Sequence, residues 1–244
     1  MPICRLLPTA GRSGPANMAC DESLLRSALD RGVASLRFYT WSAATLSLGY
    51  FQGHAERLAD PLLAKVAFVR RPTGGAAILH HRELTYALAL PAGAPWHTDE
   101  SWLCRFHHAV ASALMAFGVE SRAVACGEEK KLGPCLCFQH QTPGDLVVAG
   151  HKVVGSAQRR PHGATMQHGS ILLSRSAHAP GLAGIADLSG ANLAASDLES
   201  AILAELQKQT GWLFKPDDWT AAECSAAAQL EREKYATAAW NEKR

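Results

Sequence analysis

Between residues 84 and 117 the apolar period of the chain switches from two to about three and a half, and no other feature constrains the fold as much. Leu84, Tyr86, Leu88 and Leu90 alternate with Thr85, Ala87 and Ala89, the pattern of a strand with one heavier face. Trp102, Phe106, Val110, Ala113, Leu114 and Phe117 then form a helical stripe, with Thr98 expected as its cap, Asp99 and Glu100 in its first turn and Gly118 at its end. Such a strand followed by such a helix implies a sheet flanked by helices.

The rest of the chain repeats that alternation. Short strands are predicted at 36–39, 46–50, 67–71 and 76–80, with Pro72-Thr73-Gly74-Gly75 interrupting the last two and His81-Arg82 turning into the strand at Leu84. Further strands are predicted at 146–148 and 153–156, joined through Ala149-Gly150-His151, and at 170–173. A first helix is expected with Asn17 as N-cap, Asp21 and Glu22 in its first turns, and Met18, Leu25 and Leu29 on one face. Leu198, Ala201, Ile202 and Leu206 mark a later helix; 180–190 reads as a Gly/Ala-rich loop and 223–240 as an alanine-rich terminal helix. The class is α+β, with a mixed sheet. At 244 residues the expectation is one domain over 31–215, an N-terminal segment and helix over 1–30 packed on it, and a C-terminal helical extension over 216–244.

A formal net charge of +2 gives no reason to expect nucleic acid, while leaving room for a basic patch facing an acidic protein. No apolar run approaches the roughly 20 residues of a membrane span. Residues 1–14 contain Arg5 and Arg12 but no signal-peptide core, so a cytoplasmic location is expected. Cys4, Cys20, Cys104, Cys126, Cys135, Cys137 and Cys224 are odd in number and irregularly spaced, which fits reduced thiols.

The chemistry concentrates in Cys137-Phe138 and in the run from Asp145 to Gln158, which contains Lys152 and the small residues Gly155, Ser156 and Ala157. A thiol reacts as thiolate, with a free pKa of about 8.5, and a nearby cation favours that form. Lys152 on a neighbouring strand supplies one, and small residues let a ligand approach the backbone. Thiol, cation and open backbone point to covalent acyl chemistry. Blander readings stand beside this one: Cys137 as a buried structural thiol, the better assignment for Cys20 and Cys104, and Lys152 as a solvated residue at a hairpin end. Irregular structure around Cys135 and Cys137, expected from Pro134 and the polar run after Phe138, favours function. A metal site from Cys126, Cys135, Cys137 and His140 lacks the paired spacing such sites show. In Arg70-Arg71-Pro72-Thr73-Gly74-Gly75, Arg71 could meet a carboxylate or phosphate at exposed N–H groups, but the residues alone favour a turn with two exposed arginines. His107 and His108 are expected at the surface or an edge.

The combination of Asn17-Met18-Ala19-Cys20-Asp21-Glu22, Leu46 to Gln52, Arg70 to Gly75 with His80, Glu83-Leu84-Thr85-Tyr86, Lys152 to Gln158, Gln167 to Leu172, and Lys234 to Thr237 with Trp240-Asn241 resembles the lipoate and octanoate branch of the biotin/lipoate protein ligase superfamily. The resemblance runs through most of the chain. It implies a mixed, largely antiparallel sheet flanked by helices, in a catalytic domain related to class II aminoacyl-tRNA synthetases. Cys137-Phe138 and Lys152 occupy the places of the cysteine-dependent octanoyltransferases, so the resemblance implies Cys137 and Lys152 as catalytic residues. It further implies that Arg71, Thr73, Gly74, Gly75, His80, Gly155, Ser156, Ala157, His168 and Gly169 bind the substrate. The implied activity takes octanoyl from octanoyl-acyl carrier protein, through a cysteine thioester, to the lysine of a lipoyl domain of a 2-oxoacid dehydrogenase or of the glycine-cleavage H protein. No cofactor or metal is required, and a monomer is expected. The alternative within the family is an ATP- and Mg-dependent lipoate–protein ligase; Ala76, where many ligases carry a third glycine, weighs against it. A lipoyl amidotransferase and a non-catalytic lipoyl-protein binder are the remaining readings.

Overall fold

A computed structural model of the protein describes residues 1–97, 99–133 and 135–244. An eight-stranded sheet carries the fold. Its strands are β1 (Ile3–Arg12), β2 (Ser35–Trp41), β6 (Glu83–Leu90), β7 (Arg122–Ala123), β10 (Leu146–Val148), β11 (His151–Arg159), β12 (Thr165–Leu172) and β13 (Leu213–Pro216), in the order β13-β1-β2-β6-β12-β11-β10-β7. β1 runs parallel to both its neighbours, and every other pairing in this sheet is antiparallel. A second sheet joins β4 (Ala67–Arg70), β3 (Thr45–Leu48) and β5 (Ile78–His80), in that order, and β8 (Lys130–Lys131) pairs with β9 (His140–Gln141). The class read from the sequence, α+β with a mixed and largely antiparallel sheet, is the one observed.

The alternation along β6 sorts the two faces of the main sheet. Phe38, Tyr86, Gly169 and Ser156 lie in register on one face, and Tyr39, Thr85, Ser170 and Gly155 on the other. The heavier face packs on α2 (Trp102–Ala116) and α4 (Ala195–Thr210), burying Leu84, Leu88, Phe106, Val110, Leu114, Ile202 and Leu206 in one core. At roughly 1.5–3 kcal/mol per buried large apolar side chain, this face supplies most of the hydrophobic drive. The lighter face is covered by α1 (Gly14–Arg31), through Leu24 and Ala28 on Ala89 and through Leu25 on Met166. Beyond α1 it is left for the small sheet to close.

The structure corrects several sequence expectations. α1 is capped by Ser13, whose hydroxyl accepts from Ala16 N, with Pro15 in the first turn. Asn17 therefore sits one turn inside the helix, and its buried amide donates to Arg12 O and Thr40 O, tying α1 to the ends of β1 and β2. α2 takes Ser101 as its N-cap, while Thr98 lies outside the described residues. The 180–190 loop contains a short helix, α3 (Ile185–Ser189), because Ile185 is buried. The terminal helix is not continuous: α5 (Ala221–Leu230) passes into a wide π turn over Glu231–Tyr235 and then α6 (Ala238–Asn241), capped by Thr237. The widened turn brings Lys234 and the Tyr235 hydroxyl onto Glu22. β1 escaped the periodicity because Pro8 interrupts it; its register against β2 shifts between Leu7 and Ala10.

β1 is also fastened to α5. Arg5 Nη1 and Nη2 donate to the two oxygens of Glu223, at 2.7 and 3.1 Å. Burial works to raise Glu223, but Arg5, the Thr220 N–H and the Ser27 hydroxyl outweigh it and hold the carboxyl at about 2. A carboxylate lower in the folded than in the unfolded chain, where it sits near 4.3, favours folding above that pH; the contribution fades as pH falls toward 2. Glu223→Gln is expected to lower Tm at pH 7 and to flatten the fall of Tm between about pH 4.5 and 2. Parallel Tm–pH curves for the two proteins would remove this role.

Candidate active site

A small cleft, with a cavity volume of about 20 Å³, lies between the lighter face of the main sheet and the small sheet. Tyr39, Thr85, Ala157, His168, Gly169 and Ser170 line one side, and Ser47, Arg71, Ile78 and His80 the other, with Met18 of α1 and Trp41 between. Of the small residues on β11 and β12, Ala157, Gly169 and Ser170 lie on this wall.

Two histidines are held rigidly at this cleft, each between a carboxylate and a hydroxyl. His168 Nδ1 lies 3.0 Å from Asp21 Oδ2 and its Nε2 2.6 Å from Thr73 Oγ1. An ionised carboxylate only accepts, so Nδ1 carries a proton and donates it to Asp21. Asp21 also takes two hydrogen bonds from Arg37 and one from the Tyr39 hydroxyl. Burial acts to raise Asp21, yet Arg37 and His168 hold it below the usual carboxylate range. His80 Nδ1 meets Glu83 Oε1 and its Nε2 meets Ser47 Oγ, both at 2.8 Å, while its ring stacks on Trp41 at 3.8 Å between centroids. Burial lowers His80 despite Glu83, so the ring is neutral at neutral pH.

Arg71 and Arg70 are both buried, against the expectation of two exposed arginines. Arg71 donates to Ser47 O, Gly74 O and Ala76 O, and so shapes the loop at Gly74 and Gly75. Burial brings it down to about 10, offset in part by the Cys137 sulfur. The positive φ of Gly75 (89°) is required here, and the loop packs so closely that a Cβ on Gly49 would lie 1.7 Å from Gly75 O.

Cys137 opens a short 3₁₀ turn, Cys137–Gln139, near enough to Arg71 for its sulfur to act on the guanidinium. A bridge between Leu136 and Ala77 fixes the turn, and Cys137 N donates to Ala77 O at 2.6 Å. Lys152 Nζ lies 3.5 Å from Cys137 Sγ and 2.7 Å from Asp145 Oδ2. The side chains of Lys152 and Asp145 are only 3% and 4% exposed, so the ammonium is held between thiol and carboxylate away from bulk water. Asp145 is itself fixed by the Thr142 N–H and hydroxyl, both on Oδ2.

A β-bulge makes this meeting possible. Leu146 pairs with Val154 but Val147 pairs with Lys152, so Val153 is the extra residue. In a regular strand Lys152 and Gly155 would face opposite sides; the bulge puts both on the cleft side. A Cβ on Gly155 would come 2.5 Å from Lys152 Cε and 2.9 Å from its Nζ. Gly155→Ala is therefore expected to keep the fold, since a flexible side-chain end can move, but to displace the ammonium and slow thiol chemistry by about 10- to 100-fold. An unchanged rate would show that the lysine position does not matter.

Not every residue expected at the site reaches it. Ser156 points to the opposite face, where its hydroxyl bonds the Tyr86 hydroxyl at 2.5 Å and His107 Nε2 at 2.6 Å. His107, expected near the surface, is buried there; burial takes it down to about 4 although its Nδ1 donates to Gly144 O. His108 is exposed, as expected. Thr73, Gly74 and Gly75 act behind the cleft wall, through His168 and Arg71. Asp145 was not singled out from the sequence. The signal was present, because a buried lysine requires a carboxylate and Asp145 opens the facing strand. Cys104 is only half-buried. Among the described residues no three His, Cys, Asp or Glu side chains are grouped to hold a metal ion, and no helix is long and apolar enough to cross a membrane.

This arrangement of a mixed sheet, a smaller sheet and flanking helices is the fold of solved lipoate-protein ligases. A solved lipoate-protein ligase A bound with ATP superposes with a TM-score of 0.80 at 22% identity over 99% of both chains. A bipartite lipoate protein ligase of Thermoplasma acidophilum superposes with a TM-score of 0.73 at 21% identity, over 99% of this chain and 96% of that one. Residues 13–190 match the lipoyl protein ligase A/B catalytic domain, and the chain belongs to that family. Relatives named octanoyltransferase LipM from Kyrpidia tusciae and Staphylococcus epidermidis are 32% and 30% identical to it, over 99% and 98% of both chains respectively.

Proposed function

We propose that this protein is an octanoyltransferase that moves octanoyl from acyl carrier protein, through a thioester on Cys137, to the lysine of a lipoyl domain or of the glycine-cleavage H protein. The observation that carries this reading is the Asp145–Lys152–Cys137 array, with the ammonium 3.5 Å from the sulfur and the sulfur near enough to act on Arg71 of the cleft wall. Full-length similarity to octanoyltransferases supports it.

Cys137 attacks the donor thioester carbonyl as thiolate. Its Sγ–C bond forms, the carbonyl oxygen becomes an oxyanion beside the Lys152 ammonium, and the bond to the carrier sulfur breaks. The carrier leaves as thiol with the proton of Lys152, which becomes a neutral amine. The acceptor lysine arrives as ammonium, with a free pKa of about 10.4. It gives one proton to Lys152 and attacks the acyl-enzyme. The second proton goes to water as the amide forms and Cys137 leaves as thiolate. His168, with Nδ1 held by Asp21, and neutral His80 are fixed as acceptors at the cleft. No nucleotide and no metal enters this sequence.

Intact-protein mass spectrometry after mixing with octanoyl-acyl carrier protein, without ATP, tests the reading. One octanoyl group, removed by hydroxylamine, is expected. No adduct, together with transfer of free lipoate that requires ATP, would move the protein to the ligases.

A further inference from the structure

A cationic, aromatic surface borders the turn that carries Cys137, and the chemistry above does not use it. Tyr50 packs edge-on against Phe51 at 4.9 Å and tilts against Trp240 at 5.8 Å, and Phe51 is 71% exposed. Lys243 Nζ lies 3.6 Å from the centroids of both Tyr50 and Trp240. The Arg244 guanidinium lies 5.3 Å from Phe51 and 5.7 Å from Tyr50. Arg159, at the end of β11, acts on the same Tyr50 phenol through space. Among the described residues none of these three cations has an ion-pair partner, and Glu242, exposed beside Lys243, does not pair with it.

The charge beneath is positive as well. Arg70 is fully buried and spends its guanidinium on the main-chain oxygens of Gly49, Tyr50, Gln52 and Asn241 instead of on a carboxylate. Glu56 is the carboxylate that bears on Arg70 through space, and it is itself occupied by Gly53 N and Gln52 Nε2. Cations that repel one another across exposed rings are stabilised by an anionic partner, and such a surface also draws that partner in from a distance.

Its position indicates which partner. Gln52 Nε2 donates to Cys135 O at 3.3 Å, two residues before Cys137, and Tyr50 N donates to Thr73 O at 2.8 Å, on the loop that holds His168. The surface is thus one hydrogen bond away from the nucleophile's segment and one from the cleft wall. The acceptor has to bring a cationic lysine to the thioester. The donor brings a neutral thioester on an arm joined by a phosphodiester to an acidic carrier, so its anionic groups sit at a remove from the reacting carbon. We propose that the Arg159, Lys243 and Arg244 surface docks the acidic carrier protein that delivers the acyl group; the proposal rests on the octanoyltransferase reading.

The test compares two donors, octanoyl-acyl carrier protein and octanoyl-pantetheine, which lacks both carrier and phosphate. With Arg159→Ser, Lys243→Ser and Arg244→Ser combined, KM for the carrier-borne donor is expected to rise at least about tenfold. Acylation by octanoyl-pantetheine is expected to stay unchanged. In the wild-type enzyme, raising salt from about 0.05 to 0.3 M should weaken the carrier-borne donor several-fold and leave octanoyl-pantetheine unaffected. Equal losses with both donors, no loss with either, or a raised KM for the lipoyl acceptor alone would overturn the docking assignment. Failure of both donors to acylate the wild-type enzyme would overturn the octanoyltransferase reading and the docking assignment with it.

Discussion

Cys137→Ala abolishes octanoyl transfer and leaves the fold in place: that is the largest effect expected in this protein. The side chain is half-buried, its Sγ meets Lys152 alone among hydrogen-bonding groups described here, and the turn is held by the main-chain bond to Ala77 O, which alanine keeps. Removing a nucleophile that splits one difficult step into two costs on the order of a thousandfold or more. Serine at this position keeps the shape but lacks a thiolate, and an oxyester is a poorer acyl donor to an amine, so Cys137→Ser should be nearly as inactive. The check is a transfer assay with octanoyl-acyl carrier protein beside a thermal melt. A Tm close to wild type with no acyl adduct and no product is the expected pair of results. Full activity in Cys137→Ala would sink the covalent route.

The second large effect concerns Lys152 and its carboxylate. Lys152→Ala removes the cation beside the sulfur, so thiol alkylation at neutral pH should slow, and it removes a donor to the oxyanion, worth roughly 10²- to 10³-fold in rate. Asp145 acts through Lys152 as a positioning residue. Asp145→Ala leaves an ammonium buried without a counter-charge, which costs about 3–5 kcal/mol, whereas Asp145→Ala combined with Lys152→Met should recover most of that stability and none of the activity. Asp145→Asn keeps a partner for Thr142 but not the charge, and should lower the acylation rate while leaving KM for the donor close to wild type. An alkylation rate at neutral pH that Lys152→Ala does not change would separate the lysine from thiol activation. Equal stability of Asp145→Ala and the double variant would show that the pair is not the coupled unit its 2.7 Å contact implies.

Much of the fold could be read from the chain because its central strands and helices carry strong periods. The alternation over β6 and the stripe over α2 depend only on which residues can face a core, and the structure buries those side chains, Phe117 only in part. The elements that were missed or misplaced depend on partners distant in sequence. β1 has Pro8 in its middle and exists because β2 and β13 pair with it. The break after α5 exists because Glu22, more than two hundred residues earlier, draws in Lys234 and Tyr235. His107 lies on a helix that carries His108 beside it, and only packing against Ser156 and Gly144 decides which of the two is buried.

The candidate site divides in the same way. Residue type and local order single out a cysteine in an irregular segment and a lysine on a strand of small residues, and the family resemblance adds a loop rich in glycine. Those choices follow from chemistry a single residue carries with it: a thiol, an ammonium, the absence of a side chain. Tertiary structure alone decided that Lys152 faces Cys137, because one extra residue at Val153 shifts the phase of β11. It alone supplied Asp145 as the third member, turned Ser156 away, and made Arg71 of the cleft wall a support for its own loop as well. Orientation about a strand, the partner of a buried charge and the face a residue presents are properties of contacts between distant segments, and no local pattern encodes them.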